Sequence, residues 1–390
     1  MCIRDRLWSS TRLVTEEPFT LVDSKGGWLQ CLTALKRSLR IALDIEANSL
    51  YAYREKICLI QISTDSHDYI VDPLADFALD ELGELLSDPG VEKVFHAADY
   101  DLSLLKGLHG WEVQNLFDTM WAGRLLGFSQ MGLAWFLETL YGIQVSKKCQ
   151  KADWACRPLS REKLLYARND THHLLRMRDD LEKRLKDSGM AEEAREIFAD
   201  LCHVEGTRRV FNPDDFWRLK GVRAMSPRAQ AILKALFVFR DQEARRRDVP
   251  PFKVFNNQVI LALAQHAARW DGDPPSQITS IPGVPPRVLE RIRPKLMKVI
   301  KTGLRAPIPK RPARGANAAP GYWKRYEALM AWRKEVARER GVESDVILCR
   351  KILEEIAQKG PRNESELEAV ATLGPWRRRK YGASILRVIK

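Results

Sequence analysis

Three strand-like runs in the first quarter of the chain are apolar at more than half of their positions: "RIALDIEAN" (40–48), "KICLIQIST" (56–64) and "DYIVDPL" (68–74). Short polar turns separate them, and apolar-rich runs of this length predict buried strands. The pattern then alternates. A helical period in "DFALDELGELLS" leads to the apolar run "VEKVFHAA", the helical "DYDLSLLKGL" and the strand-like "VQNLFDTM", after which helical spacing dominates to about residue 199. Three consecutive strands followed by α/β alternation predict a mixed sheet flanked by helices.

Beyond Asp200 the strand patterns end, and helices punctuated by Pro and Gly follow. "FVFRDQEARRRDVPPFKVF" (237–255) and "MAWRKEVARERGVESDVIL" (330–348) align in register, with Arg240 over Arg333, Ala244 over Ala337 and Val249 over Val342. An internal repeat of this size predicts two small helical bundles. The Pro-, Gly- and Ala-rich stretch 301–322 reads as the link between them. The expected division is an α/β domain over 1–200, a first helical domain over 201–305, a linker over 306–320 and a second helical domain over 321–390.

Charge sharpens this division. Residues 1–200 carry 25 Lys+Arg against 32 Asp+Glu, whereas 201–390 carry 39 against 19, so the halves stand at −7 and +20. A basic excess concentrated in one half favours a polyanionic partner, and nucleic acid is the natural one. "PWRRRKY" (375–381) is the expected phosphate-contact patch. No apolar run reaches the length of a membrane span. The start, "MCIRDRLWSS", lacks an apolar h-region and reads as no secretory signal; residues 1–6 are set aside from the fold reading as an artefact-like stretch. The seven cysteines show no zinc spacing and read as reduced thiols of a cytoplasmic protein.

The chemistry enters at "ALDIE". In a strand Asp44 and Glu46 project from one face, and two neighbouring carboxylates repel unless a cation lies between them. Asp99 and Asp101 fall where a strand turns into a helix, with Asp99 placed to cap that helix. Tyr166 and Asp170, at i and i+4, share one helical face. Alone, each pair has an ordinary structural explanation.

Together, "ALDIE", "FHAADYDL" and "RPLSREKLLYARND" resemble the three motifs of the DEDD exonuclease superfamily, in the tyrosine subclass typified by ribonuclease D. Leu165 stands where the histidine subclass would carry its histidine. Both basic repeats resemble HRDC (helicase-and-RNase-D C-terminal) domains, the first departing through Pro285, Pro286 and Pro294. No G-x-x-x-x-G-K-[ST] phosphate loop occurs, which argues against an ATP-driven helicase.

The resemblance implies an α/β ribonuclease-H-like exonuclease domain followed by two all-α HRDC-like bundles. It implies catalytic Asp44, Glu46, Asp101, Asp170 and Tyr166, with the four acids holding two divalent metal ions, Mg²⁺ or Mn²⁺, and Asp44 shared by both. It further implies 3′-to-5′ hydrolysis of RNA ends such as tRNA precursors. Gln61, His96, Lys147 and Trp154 lie in the matching segments and are read as substrate contacts. A DNA exonuclease of the same superfamily, or a nucleic-acid-binding scaffold with a silent centre, would carry many of the same features.

Overall fold

Six strands make one sheet in the order β1-β4-β3-β2-β5-β6. A computed structural model describes residues 18–206, 210–270, 280–284, 286–311 and 318–390. The strands are β1 (Phe19–Val22), β2 (Arg40–Ala47), β3 (Ile57–Ser63), β4 (Asp68–Val71), β5 (Glu92–Phe95) and β6 (Leu116–Asp118). β3 runs antiparallel to β2 and β4, while the pairs β1/β4, β2/β5 and β5/β6 are parallel. The sheet is mixed because β2, β3 and β4 follow one another through non-helical connections, 48–56 and 64–67, whereas β5 and β6 are reached through helices. β3 is buried at all seven positions, its apolar run interrupted by Gln61 and closed by Ser63.

Among the described residues, eight α-helices accompany the sheet: α1 (Lys25–Leu35), α2 (Asp80–Ser87), α3 (Asp99–Leu104), α4 (Thr119–Leu125), α5 (Leu133–Tyr141), α6 (Arg161–His172), α7 (Leu174–Asp187) and α8 (Ala191–Cys202). Except for α6, whose Ala167 packs with Cys58, Leu59 and Ile70 in a separate cluster, their apolar faces and the sheet form one large core containing Trp28, Ile41, Leu43, Phe95, Phe136 and Leu181.

The chain clusters into two units: one of Met1–Ala47, Ile57–Arg208 and Gly315–Lys390, the other of Asn48–Lys56 and Arg209–Arg314. The second unit has its own core around Phe216, Ile232, Leu236 and Leu263. It contains α9 (Pro227–Arg247), α10 (Pro251–Val254), α11 (Asn257–Ala267) and α12 (Pro286–Arg305). α12 runs on past position 294, so a proline there does not end the helix. Residues 48–56 join this unit through Tyr53, whose hydroxyl donates to Asp241 at 2.7 Å, and Tyr51, which lies under the Lys253 ammonium. The proline-rich link falls partly in residues 312–317, outside the described residues.

The second repeat comprises α13 (Tyr322–Arg340), α14 (Ser344–Ile347), α15 (Arg350–Lys359), α16 (Glu364–Glu368) and α17 (Pro375–Val388), around Leu329, Ile352, Leu353 and Ile385. It docks on the core of the α/β domain. Val346 is fully buried within that core, and Val342 packs beside it. The acids of α8 meet the arginines of the repeat. Arg340 donates to both oxygens of Glu193 at 2.8 Å, Arg377 pairs with Asp200 and Glu196, and Arg379 pairs with Glu192. On the other side, Arg124 reaches Glu343 and Asp345 at 2.5 Å.

This corrects the expectation for 375–381. Arg377 is buried and its charge is satisfied inside the protein, while Arg378 pairs with Glu368. The patch is in part an internal contact, since Glu196 and Asp200 of the first half take up Arg377, while Arg379 and Lys380 stay exposed. Among the described residues, no helix is long and apolar enough to cross a membrane.

Candidate active site

β2 presents Asp44 and Glu46 from one face, and α6 brings Asp170 to them. One carboxylate oxygen from each of the three lies within 4.8 Å of the others. Asp101, on the first turns of α3, is buried and interacts electrostatically with both Asp44 and Asp170. Tyr166, one helical turn before Asp170, feels Asp170, Glu46 and Asp44 in turn. The structure therefore brings together the four acids and the tyrosine from three separated stretches.

Among the described residues, no cationic side chain acts on these carboxyls to lower them. Burial pushes the Asp44 carboxyl up to about 7, with only a backbone N–H, that of Ile45, acting the other way. Glu46 is pushed up to about 10 by burial and by the charges of Asp44, Asp170 and Asp101. Asp101 and Asp170 are also raised well above the usual carboxylate range, first by burial and then by their acidic neighbours. Hard carboxylate oxygens gathered this closely, with surplus negative charge, match the donor chemistry that Mg²⁺ and Mn²⁺ prefer. The Tyr166 phenol is raised by burial and by the same carboxylates, so it stays protonated throughout the neutral range.

Two polar networks fix the elements that carry these groups. α6 begins at Ser160, whose hydroxyl accepts the Lys163 N–H. It is then held to β3 and β4 through Asp68, which accepts from Arg168 Nε at 2.7 Å and from Ser63 Oγ at 2.6 Å, with His172 Nδ1 at 2.8 Å. Burial would raise the Asp68 carboxyl, but these partners outweigh it and bring it down to about 2. The second network starts at Asp118, which is fully buried at the end of β6. Its carboxylate accepts the N–H groups of Ala97 (3.2 Å), Ala98 (2.7 Å) and Trp121 (3.0 Å). Ala97 lies at φ +66°, so the turn that delivers α3 and Asp101 is held in a conformation costly for alanine.

The sequence reading did not single out Asp68, Arg168 or Asp118. Only the aspartate before the helical "TM" of "NLFDTM" carried a local signal, that of an N-cap. Asp99, expected as the cap of α3, is instead its first residue; Ala98 occupies the cap position without a side-chain bond, and Asp99 accepts from Trp121 Nε1 at 3.3 Å.

The four expected substrate contacts divide. Gln61 is fully buried and so cannot touch a substrate. Trp154, 1% exposed, is core packed with Cys58, Leu59 and Ala167, its ring centroid 6.0 Å from that of Tyr166. His96 has both ring nitrogens engaged, Nδ1 with Thr119 Oγ1 at 2.9 Å and Nε2 with the Met131 carbonyl at 2.8 Å, and burial lowers it to about 4. It is a neutral strut between β5 and the loop before α5. Lys147 alone is exposed, and with Ser146, Arg161, Asn169, Tyr166 and Asp170 it lines a cavity of about 490 Å³.

Comparison with known proteins places this geometry. The 3′-5′ exonuclease family model matches residues 21–186, and the HRDC domain model matches 229–300 and 324–389. Exosome complex component 10 of Mus musculus is 33% identical over 291 residues, which cover 72% of this chain and 32% of that protein. The exosome complex exonuclease RRP6 of Saccharomyces cerevisiae is 32% identical over 287 residues, 70% of this chain and 38% of the relative. The chain thus spans about a third of the length of the curated relatives it matches. The catalytic core of RRP6 from Trypanosoma brucei superimposes with a TM-score of 0.64 at 27% identity, covering 75% of this chain and 80% of that one. Escherichia coli RNase D, described as an exoribonuclease involved in structured RNA processing, shares the fold over 96% of this chain and 99% of its own, with a TM-score of 0.64 at 21% identity.

Proposed function

Because the chain belongs to the 3′-5′ exonuclease family, with two HRDC domains behind a ribonuclease-H-like domain, we propose that it is a metal-dependent 3′-to-5′ exoribonuclease that trims structured RNA ends. The observation that carries this reading is the convergence of Asp44, Glu46 and Asp170 within 4.8 Å, with buried Asp101 in electrostatic reach of Asp44 and Asp170.

In this reading Asp44, Glu46, Asp101 and Asp170 hold two divalent ions, Mg²⁺ or Mn²⁺. Bound there, the ions would offset the carboxylate charge and stabilise the charge that develops as a phosphodiester is hydrolysed. Tyr166, held protonated, orients the attacking water through its hydroxyl and does not abstract a proton. The Asp68–Arg168–His172 cluster keeps α6 seated, so Tyr166 and Asp170 move as one piece. Lys147, exposed at the rim of the cavity, meets the terminal phosphate as a point charge.

We further infer that tRNA precursors are among the RNAs processed and that the setting is cytoplasmic. The described cysteines form no disulfide with one another, which fits a reducing compartment. The first helical domain, with its basic surplus, supplies sequence-independent grip on phosphates.

Digestion of RNA labelled at either end, with and without chelator, tests the proposal. Metal-dependent release of mononucleotides from the 3′ end is expected. Turnover that survives chelation, or 5′-end release, would overturn it. Matched DNA oligonucleotides in the same assay distinguish an RNA enzyme from a DNA exonuclease of the same family.

A further inference from the structure

Gln61 occupies the middle of β3 with none of its side chain exposed, and neither its amide nitrogen nor its amide oxygen has a hydrogen-bond partner among the described residues. A primary amide offers two donors and two acceptor sites, and hiding all of them unmet is costly. Leucine or methionine would fill the same volume without that cost. The amide is therefore retained for something that the chain's other side chains do not supply.

Its position says what. Gln61 pairs directly with Asp44 across the β2/β3 ladder. Residues directly opposite one another leave the sheet on the same face, with Cβ atoms about 5 Å apart. Along that face of β3, Leu59 clusters with Ala167 of α6, and the Ser63 hydroxyl lies 2.7 Å from that of Thr171. α6 thus passes over Gln61, and the turn between Ala167 and Thr171 that covers it carries Asp170. The amide lies beneath the acidic cluster, beside one ligand candidate and under another.

We propose that Gln61 is a positioning residue for the divalent ions, its amide N–H₂ donating across the β2/β3 ladder to the Asp44 carboxylate when the metal is bound. A neutral donor suits this place. A lysine or arginine would compete with the cation for the carboxylate, and a further acid would add to repulsion already unrelieved. Outer partners of this kind fix which carboxylate oxygens face the ion. The inference rests on the metal-dependent reading above.

The test uses the full chain with Gln61→Leu and, as a second variant of similar volume, Gln61→Met. Mn²⁺ binding is measured by calorimetry and by electron spin resonance, beside metal-free melting and turnover of a short labelled RNA; wild type and Asp44→Asn are the references. Expected are metal-free melting temperatures no lower than wild type, Mn²⁺ affinity weakened by about 10-fold or more, an altered Mn²⁺ spectrum, and a fall in kcat with KM unchanged. Wild-type Mn²⁺ affinity and spectrum in whichever variant folds would overturn the proposal, as would a loss of metal-free stability with affinity intact, which marks a packing role. Absence of Mn²⁺ binding by the wild type itself would instead remove the nuclease reading.

Discussion

Arg340, at the end of α13, donates to both oxygens of Glu193 on α8, 147 residues away, each at 2.8 Å. Glu193 is almost completely buried, and the pair is flanked by the Tyr381 hydroxyl and by the contacts of Arg377 and Arg379 with the same helix. The second repeat is therefore held to the exonuclease-side core by a charge lattice whose acids and bases lie far apart in the chain.

Breaking the centre of that lattice should cost more than breaking its rim. Glu193→Gln leaves the Arg340 guanidinium without its counter-charge and should destabilise the chain by about 2–3 kcal/mol, somewhat below the value for a fully enclosed pair because Arg340 keeps some contact with water. Glu192→Gln, whose partner Arg379 is exposed, should cost less than about 1 kcal/mol. Chemical denaturation of both variants checks the ordering, and equal effects would refute it.

These contacts mark where reading the sequence stops. The strands β2, β3 and β4 and the spacing of Asp44, Glu46, Tyr166 and Asp170 were legible because each is a local pattern: an apolar run, a period of two, or an i, i+4 pair. β1 was missed. It is four residues long, and its mixed burial gives no run to find. "PWRRRKY" read as a solvated, phosphate-seeking patch because nothing within the sequence nearby neutralises it. Its partners Glu196 and Asp200 are brought to it only by the docking of α17 on α8. Gln61 and Trp154 were misread for a related reason, since their burial depends on α6 covering the sheet.

Asp44→Asn should move activity and stability in opposite directions. Removing this carboxylate takes away a metal-ligand candidate, and turnover should fall by at least about 10³-fold, an effect of roughly 4 kcal/mol on the barrier. The same change removes a charge that burial and neighbouring acids disfavour, so the metal-free protein should melt at the same or a higher temperature. A variant that loses activity because it unfolds would contradict this.

The acidic cluster also sets the response to pH. In the metal-free folded chain Asp44 titrates near 7 and Glu46 near 10, whereas in the unfolded chain carboxyls lose their protons near about 4. Between those values the folded state holds more protons than the unfolded one, so stability falls as pH rises from about 4 and goes on falling through 7 toward 10. Under the proposed metal-dependent reading, added Mn²⁺ would bind the ionised forms and oppose this loss. Melting curves at several pH values should show the metal-free melting temperature declining with pH, while the increment from added Mn²⁺ grows. An increment independent of pH would mean that the ion is not held by these acids.

Asp118 offers a test of how the site is delivered. Its carboxylate gathers three backbone N–H groups, two of them from the turn between β5 and α3, and Ala97 in that turn stands at φ +66°. Burial raises the carboxyl and the three N–H bonds lower it, leaving it near 6. Asp118→Ala would strand those donors in the interior and remove the cap of α4, which should destabilise the chain by about 2–3 kcal/mol. The turn would also be free to leave its left-handed conformation, carrying Asp101 away from Asp44 and Asp170, so metal affinity should weaken along with stability. Ala97→Gly makes the complementary change. Glycine adopts this φ without strain, and the variant should gain up to about 1 kcal/mol with metal affinity preserved. Measuring melting temperature and Mn²⁺ affinity for both variants separates the two contributions: if Asp118→Ala binds Mn²⁺ as wild type does, the carboxylate supports the fold without placing Asp101.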